Sequence, residues 1–375
     1  MNTTLKTYLN SILRFVFGGV FIFSGFVKAV DPMGTAYKIE EYMSAFNFQW
    51  LVDSASWLPI VMSVLLCSFE FMIGIMIFCH IYKKPSKIIA AAFMIFFTIT
   101  TLIDALTNKV SDCGCFGDAV KLTNWQTFYK NIILDVVLLL IFIFDSKQQK
   151  INKKYSSIIG GIFASCVLLF CIYNLMYEPV IDFRPWKVGN KMAPKINEQK
   201  PMVTYAVYKN NKTGQEKEYS MDELMKAYNS DAEFASHWTF VTSRAINPNE
   251  IKAAGFSLTP FMSNEDESLE VLSDTVSDLY IVGVVALDKA SDKGMKKVSE
   301  FAKRMYDKGN RVIVITATNP NKWYDFITKY DLKNYMIYAC DDKAIEAMIR
   351  SNPGVVKISK TIVKDKWSWR QLPKD

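Results

Sequence analysis

The chain has 375 residues, of which 50% are hydrophobic and 22% charged, and its formal net charge is +7 at pH 7. This length allows two or three domains. No stripe of Lys and Arg follows one predicted element, so the modest positive charge gives no support for a nucleic-acid partner.

Five apolar segments are long enough to cross a membrane, because a spanning helix needs about 20 mostly apolar residues. They cover residues 8–30, 58–81, 88–106, 128–144 and 158–176. The fourth segment is short, and Trp125 extends it toward the interface. No small-residue cleavage site follows the first segment, so we expect it to be retained. The sequence therefore predicts a multi-pass membrane protein.

Loop lysines give the orientation, because cytoplasmic loops carry an excess of Lys and Arg. The loops after the second and fourth segments are rich in lysine: Lys83, Lys84, Lys87, Lys147, Lys150, Lys153 and Lys154. The loop after the first segment is acidic, and the loop after the third is balanced. We therefore expect a bacterial inner-membrane protein with a cytoplasmic N-terminus and a periplasmic C-terminal domain.

The second half alternates strand and helix patterns. A polar connector at residues 178–201 precedes a hairpin pattern, with its turn at residues 210–214. Ser220 then opens a capping box that predicts the start of a helix. Nearly continuous apolar runs at residues 279–287 and 311–316 indicate buried parallel strands. The pattern is that of an α/β domain.

The last hundred residues end in helix and hairpin patterns, with Pro353 just before the closing pair of strands. This order resembles a thioredoxin-like domain from about residue 279, and the resemblance implies a cis peptide bond at Pro353. The C-x-x-C of that family would follow the first strand near residues 288–292, where this chain has no cysteine. The missing C-x-x-C indicates that this domain has no thiol chemistry of its own. The domain would then either bind a partner or simply cap the membrane part.

Cys113 and Cys115 carry the most chemistry of the seven cysteines. They lie one residue apart in a loop predicted to face an oxidising compartment, where paired cysteines form disulfides. The ring that they would close is very small, which predicts a strained bond that exchanges easily. A redox role is favoured, and a static disulfide or a bond to another protein stays open. The other five are interpreted as packed apolar side chains: Cys67, Cys79, Cys166, Cys171 and Cys340.

A metal site is the weakest interpretation of this loop. Zinc in proteins takes about four ligands. The two histidines, His80 and His237, are not spaced to complete such a set with Cys113 and Cys115. We therefore expect no metal.

Five polar residues in the apolar segments form a second signal: Arg14, Glu70, Asp104, Asn131 and Asp135. Charged groups inside a bilayer are costly and usually face the bundle interior or a cavity. We consider proton handling or lipid-headgroup binding near the thiols. The structural alternative is that Arg14, Glu70 and Asp135 pair as ties between helices.

Other residues in these segments are interpreted structurally. Four glycines would permit close helix packing: Gly18, Gly19, Gly25 and Gly74. Lys130 lies near the end of its segment, where its side chain would extend to the interface.

Several short motifs in residues 8–145 belong together. They are Arg14-Phe-Val-Phe-Gly-Gly, Phe23-Ser-Gly-Phe-Val-Lys28, Ser68-Phe-Glu70, Asp112-Cys-Gly-Cys-Phe-Gly117 and Asn131-Ile-Ile-Leu-Asp135. This part resembles the DoxX/MauE group of redox-associated membrane proteins. The resemblance implies a link to disulfide handling, through quinone-coupled thiol or sulfur oxidation or through the maturation of a disulfide-rich dehydrogenase in methylamine metabolism. Similar long forms with a fifth span and an outer domain occur in Bacteroidota.

The expected fold is an α-helical membrane bundle followed by an α/β thioredoxin-like domain. The four-helix DoxX/MauE-like unit covers residues 1–145, and a cytoplasmic loop with the fifth helix covers residues 146–177. The linker is 178–201, and the periplasmic domain is 202–375.

The expected function is a membrane thiol–disulfide relay or maturation factor. Cys113 and Cys115 would exchange with thiols of a periplasmic client protein. A quinone is the electron acceptor considered, and Glu70, Asp104 or Asp135 would manage protons. The alternative is a non-enzymatic envelope assembly or scaffold protein whose bundle binds lipid or a membrane partner.

Overall fold

The computed structural model describes residues 3–110, 112–144, 153–200, 203–231, 233–246, 249, 251, 253, 255–260, 263 and 265–374. The chain divides into two compact units. The first consists of Met1–Arg184, Glu346–Gly354 and Trp367–Asp375, and the second of Pro185–Ile345 and Val355–Lys366. The predicted cytoplasmic residues Lys147 and Lys150 lie outside the described part of the chain.

In the described residues before Arg184, the regular secondary structure of the first unit is helical. The helices are α1 (Thr3–Val30), α2 (Pro32–Ala45), α3 (Gln49–Ser54), α4 (Leu58–Phe78), α5 (Lys83–Thr107), α6 (Asn124–Ile143) and α7 (Lys153–Met176). Five of them, α1, α4, α5, α6 and α7, are long and apolar enough to cross a membrane, which confirms the predicted spans. The fourth span starts at Asn124, so it includes Trp125, and the side chain of Thr123 caps it.

The helices α2 and α3 between the first two spans were not predicted. Asp31 accepts a hydrogen bond from the Gly34 backbone nitrogen and caps α2, and Pro32 occupies its first turn. Pro32 and Ala36 are the buried residues of α2. Such sparse burial gives no clear helical period in the sequence, which explains the omission.

Glycines bring α1 and α4 into close contact. A Cβ atom on Gly25 would lie 2.5 Å from the backbone nitrogen of Phe71. One on Gly18 or Gly74 would lie within 2.8 Å or 2.6 Å of its nearest neighbour, which confirms the packing role predicted for all three. Gly19 has no atom within 4 Å of its Cβ position, so the same prediction for Gly19 is wrong.

The second unit begins with a small antiparallel sheet. Its elements are β1 (Val203–Asn210), β2 (Glu216–Ser220), α8 (Met221–Ser230), α9 (Phe234–His237) and β3 (Trp238–Ile246). The strand order is β2-β1-β3, with Tyr205 opposite Ser220 on one side and Arg244 on the other. The predicted hairpin and the predicted capping box at Ser220 are both present.

A six-stranded sheet follows, with order β4-β7-β6-β5-β8-β9. Its elements are β4 (Thr259–Pro260), α10 (Ser268–Ser273), β5 (Leu279–Val284), α11 (Asp292–Asp307), β6 (Arg311–Thr316), α12 (Trp323–Lys329), β7 (Met336–Ala339), α13 (Asp342–Met348), β8 (Gly354–Ser359) and β9 (Ile362–Ser368). The strands β5, β6 and β7 are parallel, and β5 is buried throughout, as its apolar sequence predicts. This mixed α/β sheet is that of a thioredoxin-like domain, and the Asn352–Pro353 peptide bond is cis.

Cys340 follows β7 and is buried. Burial raises the pKa of its thiol to about 12, which keeps the sulfur protonated and unreactive. This agrees with the interpretation of Cys340 as a core thiol.

The contact of α1 with α4 gives a stability prediction. Replacing Gly25 with alanine should lower the unfolding temperature in detergent, because the new Cβ would clash with the backbone of Phe71 in α4. This backbone can shift only together with the helix. Overpacking of this kind costs about 1–3 kcal/mol. Gly19→Ala is the matched control and should leave stability unchanged or raise it by up to about 1 kcal/mol. Equal unfolding temperatures for the two variants would contradict the packing role of Gly25.

Candidate functional site

Cys113 and Cys115 form a disulfide in the loop between α5 and α6, with their Cα atoms 5.5 Å apart. Gly114 between them has φ +62°, in the left-handed region that favours glycine. Its nitrogen donates to Asp112 Oδ1 (2.9 Å), and its carbonyl accepts from the Gly117 nitrogen (3.0 Å). Local hydrogen bonds therefore hold the disulfide in a tight turn.

A cavity of about 790 Å³ in the first unit has this disulfide in its wall. The volume lies within the range of sites for organic ligands. Part of the lining is apolar and comes from spanning helices, for example Met62, Phe96 and Ile103, which are themselves partly exposed on the bundle surface. Charged residues, including Lys28 and Lys38, line the part near the disulfide. The cavity therefore has the character of a site for a molecule with a polar head and an apolar body.

Glu70 is joined to the cysteine loop through a buried ion pair. Its Oε2 lies 2.5 Å from Lys28 Nζ, and both side chains are at most 7% exposed. Ser24 Oγ lies 2.8 Å from Glu70 Oε1, 3.1 Å from Lys28 Nζ and 2.6 Å from the carbonyl oxygen of Cys115. A continuous chain of polar contacts thus runs from the middle of α4 to the backbone of Cys115.

Lys28 and Ser24 were not among the predicted site residues. A usable signal was present, since the two residues are four positions apart in an otherwise apolar span and so share a helix face. A lysine inside a span needs an acidic partner, because an unpaired charge there is costly. Glu70 is the acidic residue of the next span.

Asn131 and Lys130 lie on the other side of the same group. A small cavity of about 20 Å³ has Glu70, Cys115, Lys130 and Asn131 among its lining residues. Lys130 Nζ lies 4.7 Å from the centre of the Phe116 ring, a cation–π contact with the residue after Cys115. Lys130 therefore belongs to the candidate site, although its sequence position suggested only an interfacial lysine.

Asp104 reaches the large cavity through Tyr42. Asp104 is fully buried and accepts a hydrogen bond from the Tyr42 hydroxyl (2.5 Å), and Tyr42 lines the cavity. Burial, together with the bond to Asp104, raises the pKa of Tyr42, so its hydroxyl stays protonated as the donor. Lys38, one turn earlier on α2, lies 3.6 Å from Asp112 in the cysteine loop.

Arg14 and Asp135 serve other contacts. Arg14 donates to two backbone carbonyls at the end of α4 (2.9 and 3.1 Å), and Asp135 accepts from the Thr98 hydroxyl on α5 (2.8 Å). Arg14 and Asp135 thus tie neighbouring helices together, and Glu70 does so through Lys28. These contacts are the ties between helices that the structural alternative expected.

Asp31 and Arg350 form a second ion pair in this unit, beside the large cavity. Arg350 Nη2 and Nε lie 2.7 and 2.8 Å from the carboxylate oxygens of Asp31, a two-point contact. Burial alone would raise the pKa of Asp31, but the charge and hydrogen bonds of Arg350 outweigh it and hold that pKa below its usual value. Asp31 therefore stays ionised while it caps α2.

The membrane bundle is similar to known proteins. The family model described as "Methylamine utilisation protein MauE" matches residues 6–144. Protein TlpB of Flavobacterium psychrophilum is 24% identical to this chain over 177 residues, which are 46% of this chain and 46% of that protein. The match therefore spans a little under half of the length of this relative. No solved structure matches the chain. The residues that the family model matches include α1, α4, α5, α6 and the loop with both cysteines, so residues 6–144 are similar to the MauE family.

Proposed function

We propose that the protein is a thiol–disulfide oxidoreductase of the bacterial inner membrane, and that its Cys113–Cys115 disulfide oxidises thiols of periplasmic client proteins. The observation that carries this proposal is the position of the disulfide. It lies in the wall of a large cavity, and the carbonyl of Cys115 accepts a hydrogen bond from Ser24, which contacts the buried pair of Lys28 and Glu70. A disulfide that only stabilises a fold would gain more by closing a longer loop.

The orientation supports this role. The lysine-rich loops after the second and fourth spans point to a cytoplasmic N-terminus, which puts Cys113 and Cys115 on the opposite, oxidising side. The thioredoxin-like domain would lie in the same compartment. It has no C-x-x-C, and Cys340 is buried, so in this proposal it binds clients and leaves the redox step to Cys113 and Cys115.

The exchange balances without another reactant. A client thiolate attacks one sulfur of the Cys113–Cys115 bond and the other sulfur leaves as a thiolate. A second client thiol then attacks the client sulfur of the mixed disulfide. The client gains a disulfide, and Cys113 and Cys115 become thiols that carry the two client protons.

Reoxidation requires an electron acceptor, and the cavity fits a quinone. Its apolar residues come from membrane-spanning helices, and donors such as the Lys28 ammonium line it near the disulfide. A bound quinone would accept the two electrons and two protons that are released when the thiols form a disulfide. Lys28 and Lys38 would orient a polar head beside the cysteine loop, while Met62 and Phe96 would contact the apolar body.

The first test removes the thiols. Membrane vesicles with Cys113→Ser/Cys115→Ser should lose oxidation of a reduced dithiol peptide, because the described residues include no other pair of exposed cysteines. The control variant keeps Cys113 and Cys115 and carries alanine at the other five cysteines, and it should keep most of the activity. If the double-serine variant retained function in cells, the scaffold alternative would be favoured.

The second test measures the redox state of the pair. In the five-alanine variant, a gel-shifting maleimide should find a mixture of thiol and disulfide in native membranes, and a mild oxidant should raise the disulfide fraction. A pair that stays oxidised in reductant until the protein is denatured would identify a structural disulfide and contradict the proposal. A fully reduced pair would also contradict it and would direct attention to a bound metal or a protecting partner.

The third test addresses the cavity. Met62→Trp fills part of it, so reoxidation of the reduced pair by a short-chain quinone in vesicles should slow by about tenfold, while exchange with the dithiol peptide is unchanged. Leu65→Trp is the matched control, because Leu65 is exposed on the same helix and is not among the cavity residues. Equal slowing in both variants would argue against a quinone in this cavity.

A further inference from the structure

The two sulfur-bearing residues have different surroundings. Both Cys113 and Cys115 line the large cavity, and Cys115 also lines the small one beside Glu70 and Lys130. The carbonyl of Cys115, moreover, is hydrogen-bonded by Ser24 of α1. Cys115 therefore lines both cavities, whereas Cys113 lines only the large one of these two.

Two lysines contact the immediate neighbours of Cys115, and one of them, Lys130, lines the small cavity together with Cys115. Lys28 Nζ contacts Ser24 Oγ, which in turn contacts the Cys115 carbonyl, and Lys130 Nζ lies over the ring of Phe116. Glu70 is the acid in contact with Lys28. Two lysines and one glutamate leave this group with one net positive charge.

The titratable groups around Cys115 come from several elements. Lys28 is on α1, Glu70 on α4 and Lys130 on α6, with the Cys67 thiol one turn from Glu70. On the side of α5 the ring of Phe97 lies 5.8 Å from Lys28 Nζ, and the polar neighbour on α6 is Asn131. On the side of the large cavity, Lys38 of α2 lies 3.6 Å from Asp112 and 2.7 Å from Glu41. Asp118 of the cysteine loop lies 4.0 Å from Lys121 and 3.7 Å from Arg350.

Ser24 connects Glu70 to the cysteine loop. Its hydroxyl oxygen lies 2.8 Å from Glu70 Oε1 and 2.6 Å from the carbonyl oxygen of Cys115. The ion pair of Glu70 and Lys28 is therefore held next to the backbone of Cys115.

We propose that Cys115 is the leaving sulfur of the exchange, with its thiolate stabilised by Lys28 and Lys130, and that Cys113 is the sulfur that the client attacks. This inference rests on the proposed function. The client sulfur bonds to Cys113, the Cys113–Cys115 bond breaks, and its electron pair goes to Cys115. Positive charge near a thiol favours the thiolate, and a better-stabilised thiolate leaves faster. The proton that Cys115 finally takes up is one of the two that the client thiols release.

The experiment uses the full chain with alanine at the five other cysteines. Cys113→Ser leaves Cys115 as the single thiol, and Cys115→Ser leaves Cys113. For each, the rate of alkylation by iodoacetamide is measured against pH in detergent, which gives the pH at which half of the thiol reacts as thiolate.

Two substitutions change the charge near Cys115 in opposite directions. Lys130→Met removes one positive charge and should raise the alkylation midpoint of Cys115 by about one pH unit. Glu70→Gln removes the negative charge and should lower that midpoint. Lys121→Met is the matched control, because Lys121 also lines the large cavity but is 72% exposed, and it should have little effect. The Cys113 midpoint should move little in all three variants.

Unchanged Cys115 midpoints in Lys130→Met, or larger changes at Cys113 than at Cys115, would overturn the assignment. Lys130→Met keeps the test available if Glu70→Gln, which leaves Lys28 without its partner, fails to fold. A failure of the proposed function would be seen separately, as a double-serine variant that still oxidises the dithiol peptide.

Discussion

The buried pair of Lys28 and Glu70 is the constraint on which the site depends. A charge inside a membrane bundle is costly unless it is paired, and loss of one partner of a buried pair costs about 3–5 kcal/mol. Here the two charges hold α1 against α4 at the level where the cysteine loop meets the bundle. The glycines that let α1 and α4 approach each other act in the same contact, because Gly18 and Gly25 of α1 lie against the α4 helix that carries Glu70. Helix packing and site chemistry are therefore two aspects of one interface.

Features that depend on run length or strand burial could be read from the sequence. The five spans follow from apolar length, and β5 and β6 follow from their continuous apolar sequences, because a parallel strand covered on both faces needs no polar side. The helix α2 could not be read in this way. It is held by its cap at Asp31 and by contacts of Tyr42 and Lys38, which no local period reveals.

The candidate site was predictable only in part. Cys113, Cys115, Glu70 and Asn131 were selected from their chemistry and predicted depth, and the structure brings them together. The partner of Glu70 could not be found from single residues, because the choice between Arg14 and Lys28 depends on how far α1 is shifted along α4. Arg14 looked suitable from its charge, but it lies at the other end of α4 and donates to backbone carbonyls there.

The composition of the first unit has a consequence for how the protein is made. Asp31 and Arg350 are 319 positions apart, and Ser368 bonds to the carbonyl of Met176. The chain passes between the two units four times, after Arg184, Ile345, Gly354 and Lys366. The helices around the disulfide are therefore synthesised first, but their unit gains its last contacts only when the ribosome reaches the C-terminus. Asp31 can pair with Arg350 only after nearly the whole chain has been synthesised. A chain that ended before Arg350 would lack this ion pair.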